Sequence, residues 1–103
     1  MYSYLVINKV TGKFYYGVKY SRGCLESDLW TTYFTSSKSV KKDVELFGKD
    51  NFHTEIRRRF NDVESCLRWE YRVLTRLDAK NRKDCYNLTN GGSIFNASKK
   101  MLM

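Results

Sequence analysis

The 103-residue sequence contains no proline and no apolar run approaching the about 18 residues that a membrane span needs. It also lacks an apolar N-terminal segment with a small-residue cleavage site, so we expect no secretion signal. Acidic residues are few, since 11 Asp and Glu oppose 19 Lys and Arg and leave a net charge of +8. These absences predict a soluble, cytoplasmic protein whose partner is a polyanion.

Cysteine is also scarce, and its three residues, Cys24, Cys66 and Cys85, are widely spaced. They form no CxxC pair and no cluster with the single histidine, His53. An odd number of distant cysteines is typical of free thiols in a reducing compartment. The sequence therefore favours neither a disulfide framework nor a zinc site.

Core-forming residues are plentiful, with 42% hydrophobic and 16% aromatic residues. This content is too high for a disordered tail, and a chain of this length has room for one small core. We find no linker-like stretch and no internal repeat. The sequence predicts one domain over residues 1–92, followed by a surface tail over 93–103.

Three segments have the composition of β-strands. Residues 2–8 are rich in β-branched and aromatic residues, and residues 13–20 alternate between two faces after a turn at Gly12. The alternation places Tyr15 on a basic face, opposite an apolar one. A third strand is expected over residues 52–60, where the alternation is mixed.

The remaining segments have helical spacing and candidate capping residues. With the strands, they predict an α/β domain in which helices flank a small, three-stranded, mainly antiparallel sheet. The expected helical segments are a short turn over 29–33, capped by Ser27 or Asp28, a helix capped by Ser36 or Ser37 that ends at Phe47 before Gly48, and a long helix from Asn61 or Asp62 to Asp78.

The long helix carries a carboxylate on its apolar face. At about 100° per residue, one stripe of this helix consists of Val63, Cys66, Leu67, Leu74 and Leu77. Glu70 lies near the middle of that stripe. A buried carboxylate is costly unless it is paired, protonated or bound to a cation. Glu70 is therefore either ion-paired with a neighbouring arginine or placed as a metal ligand, and the helical wheel leaves both alternatives open.

Short motifs follow one another along residues 2–92. They are Asn8-Lys9-Val10-Thr11-Gly12-Lys13 before Tyr15-Tyr16-Gly17, then Tyr33-Phe34-Thr35-Ser36-Ser37-Lys38, Phe47-Gly48-Lys49-Asp50-Asn51-Phe52, Cys66-x-x-x-Glu70 and Tyr86-Asn87. In this order they resemble the motifs of the GIY-YIG nuclease family, in particular its small phage-type homing or restriction-like endonucleases. Tyr15-Tyr16-Gly17 stands for the YIG half, whereas Tyr2-Ser3-Tyr4 keeps only the tyrosine of the GIY half.

The resemblance implies a GIY-YIG-like fold and a metal-dependent DNA endonuclease that hydrolyses phosphodiester bonds, with Mg²⁺ or Mn²⁺ as cofactor. The family's catalytic positions fall on Tyr4, Tyr15, Arg22, Lys38, Glu70 and Asn87, and its metal ligand falls on Glu70. These side chains are expected around one shallow, basic groove. A phage-encoded member acts in the host cytoplasm. One such site cuts one strand, so double-strand cleavage requires a homodimer or higher oligomer, or two successive nicks.

The expected chemistry assigns the water-activating role to Tyr15. A tyrosine with its ordinary pKa of about 10 is a poor base at neutral pH. Basic neighbours such as Lys13 and Arg22 are expected to lower this pKa by favouring the phenolate. Glu70 would hold Mg²⁺, which keeps most of its water shell, and Arg22 would grip a phosphate oxygen.

Other basic residues are expected to contact the DNA phosphate backbone, namely Lys13, Lys19, Lys41, Lys42, Arg57 and Arg59. Two alternatives stay open. Tyr4 and Tyr15 would be ordinary packing aromatics if the motif were accidental. The second alternative concerns function: a non-catalytic, basic nucleic-acid-binding domain, such as a derivative of such a nuclease, or a ribosome-associated protein. Mg²⁺-dependent nicking with Glu70→Ala as control separates these functions.

Overall fold

The computed structural model describes residues 1–88. Residues 89–103 lie outside the described part, together with the expected domain boundary at residue 92 and the tail over 93–103. The elements follow the order β1 (Tyr2–Asn8), β2 (Phe14–Lys19), α1 (Lys38–Phe47), β3 (Phe52–Arg59) and α2 (Val63–Leu77), with 3₁₀ turns at Glu26–Asp28, Lys49–Asn51 and Ala79–Asn81. The predicted α/β architecture is confirmed. No helix within residues 1–88 is both long and apolar enough to cross a membrane.

The strands form one antiparallel sheet in the order β2-β1-β3. Val6 in the central strand β1 pairs with Tyr15 of β2 on one side and with Thr54 of β3 on the other. The register against β3 shifts between Ser3 and Tyr4, which leaves an extra residue in β3. Because β1 is central and both faces of the sheet are covered, most of its side chains are buried.

Both faces of the sheet carry a hydrophobic core. On one face, Tyr4 packs with Val40 of α1, and Tyr15 lies against this cluster. On the other face, Tyr16 packs with Leu74 of α2. The prediction that the Tyr15 face of β2 is basic rather than apolar is therefore wrong. Alternation correctly separates Tyr15 from Tyr16, but α1 and the loop before it fold over the Tyr15 face and make it part of the core.

The helices begin and end close to the predicted residues. The Ser37 side chain accepts a hydrogen bond from the Val40 N–H at the start of α1. The Asp62 carboxylate does the same for the Ser65 N–H at the start of α2, at 2.8 Å. Gly48 ends α1 with a φ of 86°, a conformation that favours glycine. Both helix predictions are confirmed.

The predicted helical turn over residues 29–33 is wrong. The 3₁₀ turn lies earlier, at Glu26–Asp28, and Leu29 and Tyr33 form an isolated β-bridge. Between them Trp30 has a φ of 67°, in the left-handed region. Its indole N–H donates to the Lys49 carbonyl at 2.8 Å, so a tertiary contact holds this segment in addition to its local hydrogen bonds to the Asp28 carbonyl.

Candidate active site

A cleft of about 390 Å³ lies between β2, the start of α1, the middle of α2 and the segment after α2. It is lined by Tyr15, Ser36, Ser37, Lys38, Ser39, Glu70, Leu74, Tyr86, Asn87 and Leu88. The cleft brings together four of the predicted catalytic residues, namely Tyr15, Lys38, Glu70 and Asn87. The tertiary structure therefore gathers distant motifs around one opening.

Glu70 is held at the cleft by the packing of α2. Cys66 and Leu74, one turn away on either side, are 0% and 2% exposed and anchor this face of the helix. Burial raises the pKa of the Glu70 carboxyl to about 7. Across residues 1–88 this carboxylate forms neither an ion pair nor a hydrogen bond. The alternative of a neighbouring arginine partner thus finds no support in the described part of the chain.

The carboxylate at this position suits a magnesium-like ion. Within residues 1–88 no three Asp, Glu, His or Cys side chains are close enough to form a ligand cluster. A cation bound to Glu70 would complete its shell with water and substrate oxygens, as Mg²⁺ commonly does and structural Zn²⁺ does not. A half-buried carboxylate with no cationic partner is also stabilised by such an ion. The residues present fit Mg²⁺ or Mn²⁺.

Tyr15 extends from β2 into the same cleft. Its ring centroid lies 6.1 Å from that of Tyr4. Burial raises the pKa of the Tyr15 hydroxyl, and the Glu70 charge acts in the same direction, while interactions with Ser36 and Tyr4 act to lower it. The expected net lowering by basic neighbours is therefore wrong. The ring lies against the core, where desolvation dominates.

Tyr4 supports Tyr15 from behind and does not reach the surface. It is 0% exposed, its hydroxyl is hydrogen-bonded with that of Tyr33 at 3.1 Å, and burial raises its pKa. Gly17 lies beneath both rings, because an added Cβ would stand 2.7 Å from Tyr15 Cε1 and 2.9 Å from the Tyr4 hydroxyl. Sequence reasoning missed this role of Gly17 and the contact with Tyr33. The spacing of Tyr15 and Gly17 in the motif was the sequence signal that could have indicated the role of Gly17.

Asn87 borders the cleft, but its amide binds protein backbone. Its side chain exchanges two hydrogen bonds with the backbone of Tyr16. Just before it, the Phe14 N–H donates to the Asp84 carbonyl and the Tyr86 N–H donates to the Phe14 carbonyl. This segment therefore covers the free edge of β2. Asn87 thus contacts the strand that carries Tyr15.

The two basic residues among the predicted catalytic positions, Lys38 and Arg22, occupy different places. Lys38, the first residue of α1, is exposed at the rim of the cleft. Arg22 is exposed in the loop after β2 and is not among the residues that line the cleft. The preceding Ser21 borders an adjoining depression, which shares Ser36 with the cleft. Arg22 therefore directly follows a residue that borders this neighbouring depression.

Two of the lysines predicted to bind DNA lie against aromatic rings that border the cleft or the adjoining depression. The ammonium group of Lys13 lies 4.7 Å from the centre of the Tyr86 ring. That of Lys19 lies 4.1 Å from the centre of the Tyr33 ring. Lys41 and Lys42 are both exposed on α1, shortly after Lys38.

The arginines predicted to bind DNA are partly neutralised. Arg57 pairs with Glu55 at 2.8 Å, and Arg59 pairs with Glu26 at 2.7 Å. Neither arginine lines the cleft. Solvent-exposed pairs such as these are weak, but they reduce the local positive charge.

The sheet order and a glutamate that shares a cleft with the tyrosine of β2 are consistent with an α/β domain of the GIY-YIG type. A family model described as "Putative endonuclease segE, GIY-YIG domain" matches residues 1–89, and the chain belongs to this family. The predicted resemblance is confirmed.

Two curated relatives come from Enterobacteria phage T4. "Putative endonuclease segB" is 36% identical over 91 residues, which cover 88% of this chain and 38% of that protein. "Putative endonuclease segC" is 31% identical over 91 residues, which cover 88% of this chain and 43% of that protein. The chain thus spans less than half the length of these relatives. No solved structure matches the chain at a significant level.

Proposed function

We propose that this domain is a DNA endonuclease that hydrolyses phosphodiester bonds with Mg²⁺ or Mn²⁺ held by Glu70. The observation that carries the proposal is the half-buried Glu70 carboxylate, which shares a cleft with Tyr15 and has no cationic partner among residues 1–88. Membership of the GIY-YIG family and the names of the phage relatives support nuclease activity. The proposed place of action is the host cytoplasm.

Tyr15 is the proposed proton acceptor for the attacking water. When bound, the metal supplies positive charge to the phosphate and lowers the pKa of a coordinated water. Burial raises the Tyr15 pKa, and interactions with Ser36 and Tyr4 act in the opposite direction. The negative charge of Glu70 is one of the causes that raise the Tyr15 pKa. A cation bound to Glu70 would neutralise that charge and so remove this contribution.

The charged side chains around the cleft have proposed roles on the phosphate. Lys38 neutralises it from the first turn of α1, where backbone N–H groups also favour an anion. Arg22 extends from the neighbouring loop to a non-bridging oxygen, in the bidentate geometry that a guanidinium permits. Lys13, Lys19, Lys41 and Lys42 hold the flanking backbone. Asn87 positions β2 without touching the substrate.

The test is cleavage of supercoiled plasmid with Mg²⁺, in parallel with DNA binding in EDTA. We expect Glu70→Gln to abolish cleavage and to leave binding intact or improved, because a negative charge facing phosphate is removed. Glu45→Gln, at an exposed position on α1, is the matched control and should retain full activity. Full Mg²⁺-dependent activity of Glu70→Gln would contradict the proposal, and binding without any cleavage would favour the non-catalytic module.

The time course of the same assay tests strand choice. A site with one catalytic cleft cuts one strand at a time, so we expect nicked circles to accumulate before linear DNA. A homodimer that cuts both strands would instead produce linear DNA directly. Sedimentation of the protein with a short duplex then shows whether two copies bind together.

A further inference from the structure

The outer face of α2 carries a row of arginines that the cleft does not use. Arg68, Arg72 and Arg76 follow one another at four-residue intervals, and all are exposed. Arg58 of β3 is exposed beside them and borders the same surface as Arg68 and Arg72. We call these four residues the arginine stripe.

The arginine stripe forms a continuous surface. One shallow depression of about 420 Å³ is bordered by Arg68, Arg72 and Arg76, together with Tyr71 and Thr75. A second depression of about 240 Å³ is bordered by Arg58, Phe60, Ser65, Arg68, Trp69 and Arg72. Arg68 and Arg72 belong to both, so the depressions adjoin.

The charge of the arginine stripe is largely uncompensated. Glu64 pairs with Arg68 at 2.7 Å. In the described part of the chain, no carboxylate pairs with Arg58, Arg72 or Arg76. Clustered like charges repel one another, and a polyanion relieves that repulsion.

Arg58 is ordered by an aromatic ring. Its guanidinium lies 4.2 Å from the centre of the Trp69 ring. The Trp69 indole N–H donates to the Tyr16 hydroxyl at 2.8 Å, which fixes the ring against the sheet. A guanidinium stacked on a ring still presents its edge N–H groups, which match phosphate oxygens. Because Arg58 also lies over Phe60, these two rings are partly covered and less suited to stacking bases.

We propose that the arginine stripe binds the phosphate backbone of duplex DNA outside the cleft. From Arg68 to Arg76 the helix rises about 12 Å, a length of duplex axis over which one DNA strand carries three or four phosphates. Arg72 lies about 200° around α2 from Glu70, so this contact is separate from the proposed catalytic one. Backbone contacts hold DNA without reading its sequence. The choice of DNA as occupant rests on the proposed endonuclease function.

The test compares two variants that each lose three positive charges. One is Arg68→Gln/Arg72→Gln/Arg76→Gln. The matched control removes exposed lysines that line neither the cleft nor the stripe, as Lys9→Gln/Lys49→Gln/Lys83→Gln. Binding of a labelled duplex of about 30 base pairs is measured by fluorescence anisotropy in EDTA at several salt concentrations.

For the arginine variant we expect Kd to rise at least about tenfold and the slope of log Kd against log salt to fall by about 2 to 3. The lysine control should keep the wild-type slope. An unchanged slope in the arginine variant, or an equal fall in the control, would overturn the proposal. A stripe-dependent preference for duplex RNA over duplex DNA would overturn the choice of occupant.

Two further measurements keep the result interpretable. Arg72→Glu, a single reversal of charge, should weaken binding while its thermal unfolding stays within a few degrees of wild type. Binding that is unaffected by this reversal would count against the stripe.

Glu70→Gln should bind with the same salt slope as wild type. This test measures binding and not cleavage. A domain that binds DNA through the arginine stripe but cuts none would therefore refute the proposed function without overturning the proposed binding surface.

Discussion

The side-chain amide of Asn87 occupies the place of a neighbouring strand beside Tyr16. Its Nδ2 donates to the Tyr16 carbonyl at 2.8 Å, and its Oδ1 accepts the Tyr16 N–H at 3.0 Å. β2 is an edge strand, so these backbone groups would otherwise lack a partner in the sheet. Because Tyr16 directly follows Tyr15, the two hydrogen bonds fix the part of β2 that presents Tyr15 to the cleft.

We expect Asn87→Ala to lower the free energy of unfolding by about 1–3 kcal/mol, because two backbone groups of Tyr16 lose their partner. Denaturant unfolding measures this loss. Cleavage should fall through kcat while DNA binding is retained, since Asn87 acts by positioning β2. Asn81→Ala, at an exposed site, should change stability by less than about 0.5 kcal/mol. An equal effect of both variants would contradict the role of Asn87.

We expect Glu70→Gln to stabilise the protein at pH 8. Burial raises the pKa of the folded Glu70 from its ordinary 4.5 to about 7. The stabilisation by the protonated form is complete below the unfolded pKa and is lost as pH rises through about 7. A neutral amide avoids that loss, so the free energy of unfolding in EDTA should increase by up to about 3 kcal/mol at pH 8 and little at pH 4. Equal stability of variant and wild type at pH 8 would show that Glu70 is solvated.

Gly17→Ala tests the packing of the two tyrosine rings. The new Cβ would stand within 3 Å of Tyr15 and Tyr4 atoms, so we expect a loss of about 1–3 kcal/mol and reduced cleavage. Gly12→Ala is the control, because its φ of 79° makes alanine strained although no atom lies within 4 Å of the added carbon. It should lower stability without changing the kcat of the folded protein. If Gly17→Ala kept the wild-type kcat, the packing of the two tyrosine rings against Gly17 would not matter for cleavage, which contradicts this prediction.

Tyr4→Phe tests whether a buried hydroxyl tunes Tyr15. The interaction with Tyr4 lowers the Tyr15 pKa, so its removal should shift the rising limb of the pH–rate profile to higher pH. Tyr2→Phe removes a hydroxyl from the same core and should leave the profile in place. Tyr15→Phe should abolish cleavage while DNA binding persists. A pH–rate profile of Tyr4→Phe identical to that of the wild type would show that the Tyr4 hydroxyl does not influence the pKa of Tyr15.

The sequence predicted most of the local structure correctly. Composition located β1, alternation located β2, and capping residues located the starts of α1 at Ser37 and α2 at Asp62. Helical spacing also placed Glu70 on the packing face of α2 without reference to any tertiary contact. These signals are local, because they depend on backbone conformation and on neighbours within one or two turns.

The placement of the predicted site residues required the fold. A strand pattern cannot show that α1 covers the face of Tyr15 or that Tyr4 is fully buried behind it. The pairing of Arg59 with Glu26 joins residues distant in the chain and was equally invisible. In the same way, the position of Arg22 away from the lining of the cleft depends on the path of a long loop.

The strands, the helices and the carboxylate on an apolar helical face were predictable from the sequence, because periodicity and capping act over short distances. Which charges stay unpaired became clear from the folded arrangement. Glu70 lies between the buried residues Cys66 and Leu74 and has no ion-pair partner among residues 1–88. Arg57, in contrast, is paired with Glu55. Desolvation and ion pairing depend on three-dimensional neighbours, and these control the charge that a site presents to its substrate.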